Sequence, residues 1–217
     1  MSKTFAALAL LALPLLSGAA HAAPILELQL SQSGYATQTF TGVNGVASFG
    51  PMPYGTFNVV SGTGVGAPNG TMPTLIDLNS LQVSSSNGGM LTIAITESGL
   101  TSPSQGSFYS AIGGTLDAGN TLRYQTYIDS SNTMYGTQQS LADITFSNTI
   151  PFGSDSTNAG MPGTGLFSET QVFTLNATPN SVTSFDGRLN EVPEPASVAL
   201  LGAGLLGLAG FARRRRA

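Results

Sequence analysis

The chain has no cysteine and no tryptophan, and only one of its 217 residues is histidine. That histidine, His21, and the single lysine, Lys3, both fall within the first 22 residues. The rest of the chain therefore cannot assemble a Ser-His-Asp triad, a Cys-His pair, a Ser-Lys dyad or a lysine Schiff base. It cannot ligate zinc through His or Cys. Without disulfides, any fold must rest on core packing. Basic charge is scarce as well. Between Ala23 and Glu191 stand ten carboxylates against two bases, Arg123 and Arg188, a formal −8. The whole chain shows only −4 because four arginines sit at its C-terminal end. Such a body is poorly suited to nucleic acid, whose affinity is built from Lys and Arg contacts to phosphate. It would also repel acidic polysaccharide unless a divalent cation bridged the two. No cofactor and no catalytic residues are expected.

What is present is most telling at the two ends. Lys3 and the amino terminus form a short basic region, Thr4 to Leu16 an apolar run, and Ala20-His21-Ala22 a small-x-small cleavage site. This is the pattern of a secretory signal peptide over residues 1–22, with Ala23 as the first mature residue. At the other end, Val192-Pro193-Glu194-Pro195 precedes an uninterrupted apolar run from Ala196 to Ala212, then Arg213, Arg214, Arg215 and Arg216. As a helix, that run of 17 residues is about 25 Å long, a little under the roughly 30 Å of a bilayer core. Arg213 can snorkel to cover the shortfall. The arginines stop transfer and hold their end in the cytoplasm, with the body outside. Proline fixes φ and donates no N–H, so Pro193 and Pro195 favour an extended segment accessible to a peptidase.

An extended Val-Pro-Glu-Pro motif, an apolar helix and an arginine cluster, in that order, resemble the PEP-CTERM sorting architecture. The resemblance implies a partner, an exosortase-type membrane peptidase of Gram-negative bacteria that make exopolysaccharide. It also implies export through the inner membrane, transient anchoring by the C-terminal helix, and release to the surface or extracellular matrix. A second likeness lies upstream. Phe167-Ser168-Glu169-Thr170-Gln171-Val172 and Thr183-Ser184-Phe185-Asp186 resemble the closing strands of such proteins' extracellular domains, which names no activity.

The body, residues 23–191, is long enough for one domain with a real core. Leu26, Leu28 and Leu30 alternate with polar residues, as do Leu91, Ile93 and Ile95, then Leu122, Tyr124, Thr126 and Ile128, then Ala142, Ile144 and Phe146. Period two with one polar face is the mark of half-buried antiparallel strands. Asn87-Gly88-Gly89, Gly113-Gly114, Asp117-Ala118-Gly119-Asn120 and Pro162-Gly163 supply turns between them. These cues predict an all-β antiparallel sandwich of about eight to twelve strands, with a barrel as the alternative. Ser61 to Pro73 and Pro151 to Gly165, rich in glycine and proline, read as long loops.

Few groups in this body suggest chemistry. Gly62-Thr63-Gly64-Val65-Gly66 brushes a dinucleotide fingerprint, but turn residues follow where a helix must start. Asp117/Asn120, Asp129/Asn132 and Asp155/Asn158 share a spacing that suits Asx turns, or weakly calcium. Glycoside hydrolysis needs only two carboxylates, and Glu27, Glu97 and Glu169 fall in strand-like segments; solvated strand faces are their ordinary place. The six tyrosines (Tyr35, Tyr54, Tyr109, Tyr124, Tyr127 and Tyr135) could stack on sugars, though they more often close a core with the hydroxyl at its edge. The sequence thus predicts a non-enzymatic, exported surface or matrix protein, structural or adhesive in exopolysaccharide, with a carbohydrate- or calcium-binding module as the alternative and a glycosidase as a remote one. Its three parts are the signal peptide, the body, and the sorting signal over 192–217.

Overall fold

The computed structural model describes residues 23–67, 74–101, 106–147 and 151–192. Ala20 and Ala22 of the cleavage site, the motif Pro193 to Pro195, the helix over 196–212 and Arg213 to Arg216 lie outside the described residues. Among the described residues no helix is long and apolar enough to cross a membrane.

Alternating sequence produces strands throughout. In chain order they are β1 (Ile25–Ser31), β2 (Gln38–Thr41), β3 (Val46–Phe49), β4 (Met52–Tyr54), β5 (Phe57–Val59), β6 (Gly62–Val65), β7 (Leu75–Ser85), β8 (Gly89–Thr101), β9 (Gly106–Leu116), β10 (Thr121–Asp129), β11 (Gln139–Ser147), β12 (Phe152–Gly160), β13 (Leu166–Ala177) and β14 (Ser181–Val192). Every pairing is antiparallel. One sheet has six strands in the order β11-β10-β13-β8-β1-β2. The other has eight, with β12-β9-β14-β7-β5-β4 along its path, β6 also paired to β7, and β3 to β6. The two sheets share one interior, to which Leu28, Ile93 and Phe173 come from the first and Leu78, Ile112 and Phe185 from the second. The all-β antiparallel prediction holds, with fourteen strands among the described residues instead of eight to twelve.

The surplus comes largely from two segments read as loops. Residues 62–65 form β6, and residues 152–160 form β12. In β6 the glycines permit close approach: a Cβ at Gly62 would lie 2.6 Å from the Phe49 ring, and one at Gly64 would lie 2.2 Å from Ile95 Cδ1. The missing side chains that suggested a loop are what lets this strand lie against its neighbours. In β12 mostly small residues pair along β9 from Phe152↔Gly114 to Gly160↔Gly106. Its backbone ladder replaces the apolar alternation that a sequence reading looks for. Asp155 and Asn158 therefore lie in a strand and make no turn.

The other two Asp-x-x-Asn segments do make turns. Asn120 N–H donates to the Asp117 carbonyl at 3.1 Å, and the buried Asn120 side chain reaches Thr183 and Thr178. Ser131 N–H donates to Asp129 Oδ1 at 2.7 Å, an Asx turn, and Asn132 follows in the left-handed region with φ 56°.

Candidate functional site

The strands put a polar layer inside the sandwich. Inward positions of β8 run Leu91, Ile93, Ile95 and then Glu97. Inward positions of β13 run Phe173, Gln171, Glu169 and Phe167. The register pairs Glu169 with Glu97, beside a bulge between Phe167 and Glu169. Ser110 of β9 and Thr126 of β10 join them, their hydroxyl oxygens 2.8 Å apart. Together these residues divide the core. A large apolar cluster fills one side, and a small one of Ala67, Leu100, Phe108, Ile128, Leu141, Phe167 and Leu189 fills the other.

Part of the layer is well satisfied. Tyr124 Oη lies 2.9 Å from Gln171 Oε1 and 3.0 Å from the Arg188 carbonyl. Gln171 Nε2 donates to the Ile76 carbonyl at 2.9 Å. The carboxylates are less well served. Glu97 and Glu169 are both 0% exposed and Glu191 is 2% exposed. Ala67 N–H donates to Glu97 Oε2 at 2.9 Å, and the Thr74 hydroxyl donates to Glu169 Oε1. Glu97 Oε1 and Glu169 Oε2 receive no hydrogen bond.

Burial favours the neutral acid. It pushes the Glu169 carboxyl up to about 8, the Thr74 hydroxyl opposing and the nearby Glu97 and Glu191 charges adding to the rise. It pushes Glu97 up to about 7 against the Ala67 N–H. A Cβ at Gly66 would stand 2.6 Å from a Glu97 carboxylate oxygen, so glycine there leaves room for the acid. Among the described residues no three His, Cys, Asp or Glu side chains are placed to hold a metal ion.

Of the three glutamates weighed for hydrolysis, Glu97 and Glu169 meet and Glu27 does not join them. Glu27 lies on the opposite face of the six-stranded sheet, near the Thr41 hydroxyl and Tyr135 Oη. The expectation that all three sit on solvated strand faces fails for Glu97 and Glu169. Their parity with Ile93, Ile95 and Phe173 carries them inward, and that parity was the signal available in the sequence. The tyrosines divide similarly. Tyr124 and Tyr54 are core residues, the Tyr54 hydroxyl donating to the Ala36 carbonyl at 3.0 Å, while Tyr35 is exposed.

The outer face of the eight-stranded sheet carries a shallow depression of about 460 Å³. Asn79, Gln82, Gly114, Ser184 and Asp186 line it, together with the apolar Leu81 and Phe185. It lies where β14 and β7 slip register between Phe185 and Gly187.

The last strand leads directly into the C-terminal segment. Val192 pairs with Ser107 of β9, and Asn190 pairs with Leu75 of β7. The profile of the PEP-CTERM protein-sorting motif matches residues 191–216, so its first two positions are the last two of β14. The chain carries a PEP-CTERM sorting signal. That signal marks an exported protein processed by an exosortase, and implies the envelope or surface of a Gram-negative bacterium. No curated protein matches the chain.

Solved structures are similar only distantly. The enzymatically active domain of bacteriophage CBA120 tailspike protein 4 is 10% identical with a TM-score of 0.39, over 77% of this chain and 19% of that one. Arthrobacter globiformis T6 isomalto-dextranase is 9% identical with a TM-score of 0.27, over 71% and 25%. The CBM22-1–GH10 modules of Clostridium thermocellum xylanase 10B are 9% identical with a TM-score of 0.30, over 78% and 29%. The chain thus spans less than a third of each of these structures.

Proposed function

We propose that this PEP-CTERM protein is a structural or adhesive component of an exopolysaccharide matrix, without enzymatic activity of its own. The observation that carries the reading is the placement of its acids. Glu97 and Glu169, the glutamates that meet across neighbouring strands, are sealed between the sheets, where no glycan can reach them. A glycosidase needs its two carboxyls about 5 to 10 Å apart on either side of a substrate. Before processing, the apolar run over residues 196–212 holds the protein in the membrane and presents Pro193-Glu194-Pro195 to the exosortase. The depression at Asn79, Gln82, Ser184 and Asp186 favours a second reading, a weak carbohydrate-binding module, because it presents amide, hydroxyl and carboxylate groups that can bond sugar hydroxyls.

Replacing Pro193, Glu194 and Pro195 with alanine is expected to leave an uncleaved, membrane-bound form, read by fractionation and by mass spectrometry of the culture supernatant. Unchanged release of the same mature product would reject the processing role. Calorimetry with the extracted polysaccharide tests the body separately. Retention in the matrix without measurable hydrolysis supports the structural reading, and turnover of any glycan defeats it.

A further inference from the structure

On the outer face of the eight-stranded sheet the side chains form rows that cross the strands. One row is made of short groups only. It runs from Ser48 of β3 through Thr63 of β6, Asn79 of β7, Asp186 of β14 and Gly113 of β9 to Gly153 of β12, in register except at the slip between β7 and β14. At about 4.8 Å per strand, the row is roughly 24 Å long. The depression at Asn79, Gln82 and Asp186 is its middle part.

The two glycines of the row are not required by the fold. A Cβ at Gly62, Gly64 or Gly187 would run into a core side chain, so glycine is forced at those positions. At Gly113 a Cβ would meet nothing nearer than 3.8 Å, and at Gly153 nothing nearer than 3.6 Å, both ordinary contact distances. Neither residue has a positive φ. Glycine inside a strand weakens it. Where neither packing nor turn geometry calls for it, it marks a place where a ligand or another backbone comes close. Gly113 and Gly153 are register partners, so together they bare the main chain of two neighbouring strands beside Asp186.

Charge limits what can lie there. Asp186 stands in the row, and the next row brings Asp155, Arg188 and Asp77 into line across β12, β14 and β7. Three acids against one base repel a polyanion. A second copy in a two-fold contact would set the same acids against themselves. A neutral glycan meets neither penalty. Its hydroxyls donate to the Asp186 carboxylate and to the amide oxygens of Asn79 and Gln82, and accept from the amide N–H groups. Leu81 and Phe185 give the depression an apolar floor for the C–H face of a sugar ring. We propose that this row is a binding trough for a neutral polysaccharide chain, laid across the strands, anchored at Asn79, Gln82 and Asp186 and passing over the bare backbone of Gly113 and Gly153. The proposal rests on the carbohydrate-binding reading of the depression and adds to it the charge of the ligand and its path.

The test is retardation of the full chain, held in a sugar-free detergent, in native gels cast with dextran, β-glucan or galactomannan as neutral probes and alginate as the acidic one. At least one neutral polymer is expected to retard the wild type, and alginate is not. Gly113→Val puts a branched side chain on the bare strand and is expected to weaken binding about tenfold or more, the loss of one or two hydrogen bonds. Its stability to denaturant stays equal to wild type or rises. Gly153→Val is an independent second block, and Asp186→Ala removes the charged acceptor with a similar loss. Asp143→Asn, on the outer face of the other sheet, leaves retardation unchanged. Wild-type retardation that neither glycine variant reduces overturns the trough and leaves the carbohydrate reading standing, whereas no retardation by any neutral polymer removes both. Should both valines unfold the domain, Asp186→Ala decides, and unchanged retardation there overturns the trough. If the glycine variants abolish a concentration-dependent dimer and leave retardation as it was, the face belongs to a second copy and the trough falls.

Discussion

The two sides of the interior are built from the same strands by different means. Away from the sorting segment the core is apolar and aromatic. Phe173 has its ring centroid 5.0 Å from Tyr124 and 5.1 Å from Phe185, and Leu28, Ile93 and Leu78 surround the group. Toward the sorting segment the inward residues become Gln171, Glu169, Glu97 and Thr74, with the small apolar cluster that holds Leu100, Phe108, Phe167 and Leu189 on their other side. The first side gains stability from excluded water and close packing, which respond little to pH. The second buries carboxyls that are pushed up to about 7 and about 8, so its contribution to stability declines as pH rises. A single fold thus carries a permanent half and a pH-dependent half.

The largest expected effect tests the permanent half. Phe173→Ala removes a fully buried ring between two others and should cost about 3–5 kcal/mol by denaturant titration, equally at pH 5 and pH 8.5. A strongly pH-dependent loss would break the contrast between the halves. Next comes Glu169→Gln, which keeps the shape of the protonated acid. Because burial raises the folded value to about 8, wild-type stability from this group is fully present below its unfolded value near 4.5 and declines as pH rises through 8. The variant should therefore match wild type at pH 4 and exceed it by roughly 2–4 kcal/mol at pH 8.5. A variant that is less stable at pH 8.5 would place the wild-type carboxylate in a favourable charged network instead.

The smallest effect supplies the surface control. Asp143 receives Arg123 Nε at 2.8 Å on the outer face of the six-stranded sheet, and the two side chains are 43% and 50% exposed. The guanidinium lowers the Asp143 carboxyl, the reverse of the shift inside. In water and salt such a pair contributes little. Asp143→Asn should leave the thermal midpoint unchanged within error at pH 7. A clear drop would mean that surface charge matters to this domain as much as buried charge.

The strands were legible where the side chains alternate visibly. Leu26-Leu28-Leu30 and Leu91-Ile93-Ile95 lie in β1 and β8, with the predicted face inward. β6 and β12 were illegible because glycine and small polar residues carry no apolar period; β6 is held by close backbone approach and β12 by its ladder with β9. The acid layer was half legible. Parity placed Glu97 and Glu169 on the core side, but the general rule that charges face water hid them.

Local information was sufficient for whatever depends on neighbours along the chain. Apolar alternation has a period of two residues, a turn needs about four, and a sorting signal is a contiguous string, so strand character, turns at Asp117 and Asp129, and the motif at 191–216 could all be read directly. Which acids meet, and whether water reaches them, depends on register between β13 and β8 and on the second sheet closing over them. Those are relations between residues more than seventy positions apart, such as Thr96 and Glu169 at a separation of 73. Only the folded chain sets the distances and the dielectric that bring Glu97 and Glu169 together and push both carboxyls up.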